Sequence, residues 1–181
     1  MDSQISIDGR LPVGGMGFAV GYAPGKGVFR VYLCLAAAVA LTCGWFVSGS
    51  EIVLALALFF ALTAYYFYPL VESDKVRLGA GEHGVFIEGF GIIPWRSIGG
   101  IGLSTYAVRS IEVNELNIKL SRALPNALIA DWRSLPYHRL LMKLPWAMSR
   151  DNVVRINLEP FRGSPAEILS GLSRMRAFYG K

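Results

Sequence analysis

The chain has 181 residues, of which 53% are hydrophobic and only 17% charged, and its formal net charge is +5. Soluble domains carry about 25% charged residues, so this composition excludes an ordinary soluble protein. The shortage of charge is local, because the stretch from Val31 to Val71 contains one charged residue, Glu51. We therefore expect a membrane segment near the N-terminus, followed by a domain exposed to water.

Residues 1–27 are rich in glycine and poor in large apolar side chains. This composition predicts a flexible N-terminal arm. About 30 residues precede the first apolar run and they are not strongly basic, so a cleaved signal peptide is disfavoured.

Residues 28–71 predict a transmembrane helical hairpin. Its two spans lie at about 31–47 and 52–71 and would be roughly 25 Å and 30 Å long at 1.5 Å per residue. The connection Ser48–Glu51 is too short for anything but a turn. Both ends of the chain are therefore expected on the same side of the membrane.

The positive charges predict which side that is. The turn has no Lys or Arg, whereas Lys26 and Arg30 precede the hairpin and Lys75 and Arg77 follow it. The positive-inside rule then places the N- and C-termini in the cytoplasm. Residues 72–181 hold 15 Lys and Arg against 10 Asp and Glu, and such a basic domain suits an anionic leaflet.

Short apolar-polar alternations after the hairpin predict an antiparallel sheet or small barrel. The strand-like stretches are 84–89, 98–108 and 154–158. Residues 111–114 and 116–120 alternate in opposite phases, which predicts a bend or bulge between them.

A C-terminal amphipathic helix is indicated by its boundary residues. Ser164 and Glu167 form a Ser-x-x-Glu capping box, Pro165 suits the first helical position and Gly180 the stop. The apolar face, expected to pack on the sheet, comprises Ile168, Leu169, Leu172, Met175 and Phe178 or Tyr179.

These features together resemble a known family. The membrane hairpin, the stretch Gly91-Ile-Ile-Pro-Trp-Arg-Ser-Ile98 and the final helix resemble small bacterial membrane proteins with a pleckstrin-homology-like (PH-like) domain. The resemblance covers residues 28–181, with a departure at 121–150. It implies an α+β membrane protein in the bacterial inner membrane, whose cytoplasmic PH-like domain at 72–181 is a binding or scaffolding module without enzyme activity.

The insert at 121–150 combines basic, aromatic and aliphatic residues. This composition is typical of a segment in the membrane interface. The alternative is an elaborated loop that folds onto its own domain, with solvated arginines and tryptophans in the core; nucleic-acid binding has no motif to support it. The residues expected to bind membrane or a partner are Arg122, Trp132, Arg133, Arg139, Lys143, Trp146 and Arg150.

No catalytic, metal or cofactor residues are predicted. His83 and His138 lack the ligand spacing of a metal site, and Cys34 and Cys43 fit best as small packed side chains. The leading hypothesis is a non-enzymatic accessory or assembly subunit that binds an integral membrane-protein complex. The alternatives are a scaffold that senses anionic lipid headgroups, and a membrane enzyme that uses few polar groups.

Overall fold

The computed structural model of the protein describes residues 17–108, 111–122, 127–131, 141–149 and 151–180. The chain divides into two compact units. The helical unit comprises residues 24–73 and 137–143, and the β unit comprises residues 1–23, 74–136 and 144–181. Each unit has its own interior.

The helical unit is an antiparallel pair of apolar helices. Helix α1 is Val28–Ser48, helix α2 is Glu51–Phe67, and a 3-10 turn at Tyr68–Leu70 extends α2. Between the helices, Gly49 adopts the left-handed conformation with φ of 63°, which glycine reaches at little steric cost. Both helices are long and apolar enough to cross a membrane, by length and composition alone. The two predicted apolar helices are thereby confirmed.

Small side chains hold the two helices together. Val31 and Ala38 of α1 and Ala57 and Ala64 of α2 are the buried residues of the pair. Small residues at such an interface let two helix backbones approach closely. The large side chains of both helices are consequently left on the outside.

The β unit contains a five-stranded antiparallel sheet. Its strands follow the spatial order β1-β2-β3-β4-β7. Strands β2 and β3 are joined by a tight turn that contains His83. The strands are β1 Phe18–Gly21, β2 Val76–Gly81, β3 Gly84–Ile87, β4 Gly91–Ile93 and β7 Ala130–Asp131.

Strand β1 differs from the flexible arm that we predicted for residues 1–27. Phe18–Gly21 pairs with β2 along its length, from Phe18 opposite Ala80 to Gly21 opposite Val76. Its four residues are too few to give a period, and their partner lies beyond the helical hairpin in sequence. Residues 1–16 of the expected arm lie outside the described residues.

A second antiparallel sheet has four strands in the order β5-β6-β9-β8. Leu116 and Ile118 of β6 and Val154 and Ile156 of β9 are fully buried on its inner face. Its strands are β5 Ile98–Val108, β6 Ile111–Leu120, β8 Trp146–Met148 and β9 Val153–Asn157. The described strands form two open sheets, and no closed barrel is present among them.

The predicted bend between residues 114 and 116 was wrong. Strand β6 is continuous and pairs with β5 in one register from Ile111 to Lys119. The alternation changes phase because β9 pairs only with residues 115–119. Residues 111–114 of β6 pair with β5 but not with β9. Among the described strands, no third one continues the sheet there, so neither face of this part of the ribbon needs to be apolar.

The two sheets are joined through the stretch that carries the resemblance. A 3-10 turn at Trp95–Ser97 links β4 to β5. The Trp95 ring is buried, and its indole N–H donates a hydrogen bond to the Gly81 carbonyl at 2.9 Å. At Gly84, with φ of 134°, an added Cβ would lie 2.0 Å from the Ile93 carbonyl oxygen, so this turn requires glycine.

Helix α3, Pro165–Tyr179, contacts strands of both sheets. Both hydrogen bonds of the predicted capping box are present, between Ser164 and Glu167. Ile168 and Leu172 are buried, whereas Phe178 is 59% exposed. The predicted capping is confirmed, and of the two alternatives for the last apolar position Tyr179 is the half-buried one.

Candidate interaction surface

The insert at 121–150 supplies the residues that the sequence indicated as an interaction site. Three of them, Arg122, Lys143 and Trp146, lie among the described residues. The other four, Trp132, Arg133, Arg139 and Arg150, lie outside the described residues. The insert also contributes β7 and β8, one short strand to each sheet.

Lys143 lies at the C-terminal end of α2, inside the helical unit. Its backbone N–H donates a hydrogen bond to the Tyr66 carbonyl at 2.9 Å. Its ammonium nitrogen lies 5.3 Å from the centre of the Phe67 ring, within the distance of a cation–π interaction. The contact places a positive charge beside the aromatic run at the end of the hairpin.

That aromatic run is partly open to the surroundings. Tyr65, Tyr66 and Tyr68 are between 36% and 46% exposed. Aromatic rings with a polar tip are enriched where a membrane meets water. Lys143 and these tyrosines therefore form a small amphipathic patch, which we call the hairpin-base patch.

Trp146 occupies a different environment, within the β unit. It pairs with Ile156 as part of β8, and its ring meets Phe90 edge to face with 4.7 Å between ring centres. The indole N–H is buried and has no hydrogen-bond partner in the described part of the chain. Trp146 is thus half-buried and packs within the β unit.

Arg122 is the second residue after the end of β6 and is exposed. Arg122 belongs to the β unit and Lys143 to the helical unit. The contact between membrane or partner and this set stays a prediction.

Most of the large apolar side chains that are exposed among the described residues belong to the helical unit. Val47 is 91% exposed, Phe46 76% and Ile52 74%, and large apolar side chains continue along both helices. Exposed apolar patches of more than a few hundred Å² are rare on soluble monomers and mark contact with membrane or protein. The remaining large exposed apolar residues of the helices are Phe29, Leu33, Leu35, Val39, Leu54, Leu56, Leu58, Phe59 and Leu62.

A polar ladder crosses the β5–β6 ribbon. The Thr105 hydroxyl donates to the Asn114 side chain at 2.7 Å, and the Tyr106 hydroxyl donates to the Glu115 carboxylate. This hydrogen bond is the main cause that raises the pKa of Tyr106 above its usual value. The ribbon is thus pinned by side chains on both faces.

The sequence analysis missed a buried arginine. Arg77 is fully buried in β2, where it forms an ion pair with Glu88 and its guanidinium carbon lies 5.2 Å from the centre of the Tyr22 ring. The signal in the sequence is one charge in an otherwise apolar strand. A buried charge is retained only with such partners, so Arg77 ties β1 and β2 to the residue after β3.

Reactive groups are sparse in the described ranges. No group of three or more His, Cys, Asp and Glu residues there could hold a metal ion. Cys34 and Cys43 of α1 form no disulfide. No protein-family model, curated protein or solved structure matches this chain.

Proposed function

We propose that the protein is a membrane-anchored interaction module, an accessory or assembly subunit of an integral membrane-protein complex. The observation that carries the proposal is the helical unit, which buries alanines inside and exposes its large apolar side chains outside. Water would penalise this arrangement by roughly 25 cal/mol for each Å² of exposed apolar surface. Hydrocarbon removes that penalty.

The proposal includes a location and a topology. The hairpin would span the bacterial inner membrane twice, with both termini in the cytoplasm. The absence of Lys and Arg from the turn after α1 supports this orientation. The β unit would be the PH-like binding domain, an assignment supported by two antiparallel sheets and a final helix that packs on both.

The first experiment tests the anchor. Native membranes should retain the protein in high salt and carbonate and release it in mild detergent. Leu58→Arg places a charge on an exposed position of α2, where a central arginine costs about 3 kcal/mol on insertion scales, so it should shift protein out of the membrane fraction. Leu58→Ala is the matched control. Protein that remains in the supernatant without detergent would contradict the anchor.

The second experiment tests the partner. The tagged full-length protein, solubilised in mild detergent, should migrate in native gels with at least one other integral membrane protein. Membrane-permeable crosslinking before solubilisation should join the same pair. Migration as this chain alone, as a monomer or only with copies of itself, would overturn the accessory-subunit proposal.

A second candidate function is recognition of anionic lipid headgroups, and the hairpin-base patch favours it. One lysine near an anionic surface contributes about 1 kcal/mol, so Lys143→Gln should weaken binding of the reconstituted full chain to soluble headgroup analogues about fivefold. Arg155→Gln, which removes an exposed charge from β9, is the control. Charge reversal at Arg133, Arg139 and Lys143 together should abolish the salt-sensitive part of headgroup binding. Unchanged binding by this variant would rule out lipid recognition.

A further inference from the structure

Among the residues that the structure describes, one long edge of strand β5 is paired with no other strand. Strand β5 has eleven residues and is the terminal strand of the sheet, with β6 as its only strand partner among the described residues. A strand of this length has several backbone donors and acceptors on its open side. The hydrogen-bonding pattern of β6 shows which residues of β5 carry these outward backbone groups.

The even-numbered residues of β6 bond to the strand beyond it. The Leu158 N–H donates to the Asn114 carbonyl, and the Leu120 N–H donates to the Asn152 carbonyl, both at 2.9 Å. Because bonding direction alternates along a strand, the odd-numbered residues of β6 face β5. Their partners in β5 are the even-numbered residues. The outward backbone groups of β5 therefore belong to Ile101, Leu103, Thr105 and Ala107.

Within the described ranges, side-chain hydrogen bonds cover the first part of this edge. The Arg176 guanidinium donates to the carbonyls of Ile98 and Gly99 at 3.1 Å and 3.2 Å. An open groove of about 420 Å³ follows, lined by Ile101 and by α3 residues Ser173, Arg176 and Ala177 together with Gly180. From Leu103 onward no described residue caps an outward group.

The open part also lacks the features that prevent edge pairing. Natural edges carry charged residues, proline or bulges. Residues 101–108 contain no charge and no proline, and the register irregularity of β5 lies before them, between Ile98 and Gly100. An edge of this kind accepts another strand.

We propose that the β5 edge pairs with the β5 edge of a second copy of this chain, antiparallel and centred on Ser104. The outward residues are then self-complementary, since Leu103 faces Thr105 of the other copy and Ile101 faces Ala107. No like charges meet. This symmetric, isologous arrangement is the commonest one in soluble homodimers.

Side-chain volume is also complementary in this register. Gly102 of one copy lies opposite Tyr106 of the other. No atom lies within 4 Å of a Cβ built on Gly102, and Tyr106 is 43% exposed. An aromatic side chain across from an edge glycine covers its bare backbone, an arrangement that stabilises strand pairs. A neutral strand of another protein could form the same backbone hydrogen bonds, but it would not repeat the pairing of glycine with tyrosine on both sides.

The first test uses the full-length protein in native membranes. In a background with Cys34→Ala and Cys43→Ala, Ser104→Cys lies opposite itself in a non-hydrogen-bonded pair, where Cα atoms are about 4.5 Å apart and a disulfide can form. A mild oxidant should convert most of this variant into a covalent dimer. The control Arg155→Cys lies on the same face of the sheet, in the central strand β9, and should stay monomeric.

A dimer yield for Ser104→Cys no higher than that for Arg155→Cys would overturn the proposal. An adduct with the mass of another protein would overturn it too, because the edge would then belong to a different partner.

The second test removes an outward donor. Thr105→Pro deletes one N–H from each copy, and proline is tolerated on the open side of an edge strand. Detergent-solubilised dimer, measured by light scattering, should dissociate roughly tenfold more readily. The control is Thr105→Val. Like the proline variant it loses the hydroxyl bond to Asn114, but it keeps the backbone N–H, so dissociation of its dimer should be unchanged.

Ser104→Lys gives an independent check in case the proline variant does not fold. It keeps every backbone donor but sets two positive charges opposite each other, so it should be monomeric. An unaltered dimer in Ser104→Lys would refute pairing at this edge. The proposal is separate from the accessory-subunit proposal, because either the self-pairing or the foreign partner can fail while the other is observed.

Discussion

The buried guanidinium of Arg77 shows how one residue organises three strands. The chain around it is neutral and apolar, so an unpaired charge there would cost several kcal/mol. Glu88 supplies the counter-charge from the position after β3, and the Tyr22 ring supplies a π face from the end of β1. β1 is thereby fixed to the sheet by a side chain as well as by its backbone.

At the same scale, Tyr106 gives a prediction about pH. Its pKa is raised first by the hydrogen bond to Glu115 and then by desolvation and the Glu115 charge, while Arg155 lowers it. Because the raised pKa favours the neutral phenol in the folded state, the stabilisation from this bond is complete below the pKa of the unfolded chain. It is lost at alkaline pH, as the pH rises through the folded-state pKa.

The measurement is an alkaline titration of tyrosinate absorbance. The difference between the natural protein and Tyr106→Phe isolates one tyrosine and should show a pKa above the usual value. Glu115→Gln should lower it toward that value, and Arg155→Gln should raise it further. A Tyr106 that titrates at an ordinary pKa, with no response to Glu115→Gln, would show that the hydrogen bond is not formed in solution.

At the scale of an element, helix α3 is the best-defined segment of the β unit. Its start is determined locally, because Ser164 accepts a hydrogen bond from the Glu167 N–H and Glu167 accepts one from the Ser164 N–H. Ser164→Ala should therefore lower the free energy of unfolding by about 1 kcal/mol. Thermal unfolding of the detergent-solubilised full chain, followed by circular dichroism, measures the change.

The control for that variant is Ser170→Ala. Ser170 lies exposed inside the same helix, where alanine has the higher helix propensity, so this change should stabilise slightly. Equal destabilisation by the two substitutions would show that the cap contributes nothing specific.

The elements also show why part of the fold was predictable. Both hairpin helices, α3, and strands β3, β5 and β9 are specified by patterns within one stretch of sequence. Strands β1, β7 and β8 have only two to four residues each, too few to show a period. The partners of β1 and β7 also lie far away in sequence. The phase change in β6 was misinterpreted because it records where β9 ends, which is tertiary information.

The packing of the insert was less predictable from the sequence, for a similar reason. Composition identified the insert at 121–150, but it could not distinguish a tryptophan at an interface from one that packs on Phe90. It also could not indicate that Lys143 would contact the end of α2. The open edge of β5 depends on sheet order, which no single stretch of sequence contains.

At the scale of the whole molecule, the hairpin predicts a topology. Cysteines introduced at the turn, for example Ser48→Cys in the Cys34→Ala and Cys43→Ala background, should react with an impermeant thiol reagent added outside intact spheroplasts. A cysteine introduced near the C-terminus, such as Arg174→Cys, should react only after the membrane is opened. Reaction of Arg174→Cys in intact cells would mean that the β unit is exported and that the proposed orientation is wrong.

Strand β1 lies before the helical hairpin in sequence, whereas its neighbour β2 lies after it, and their register joins Gly21 directly to Val76. The hairpin is therefore an insertion between two adjacent strands, and its own ends meet so closely that a Cβ on Gly27 would lie 2.3 Å from that of Leu70. The order of folding follows from this, because β1 can pair with β2 only after the ribosome has released both helices. A completed hairpin brings the two strands together and removes most of the entropic cost of closing so long a loop.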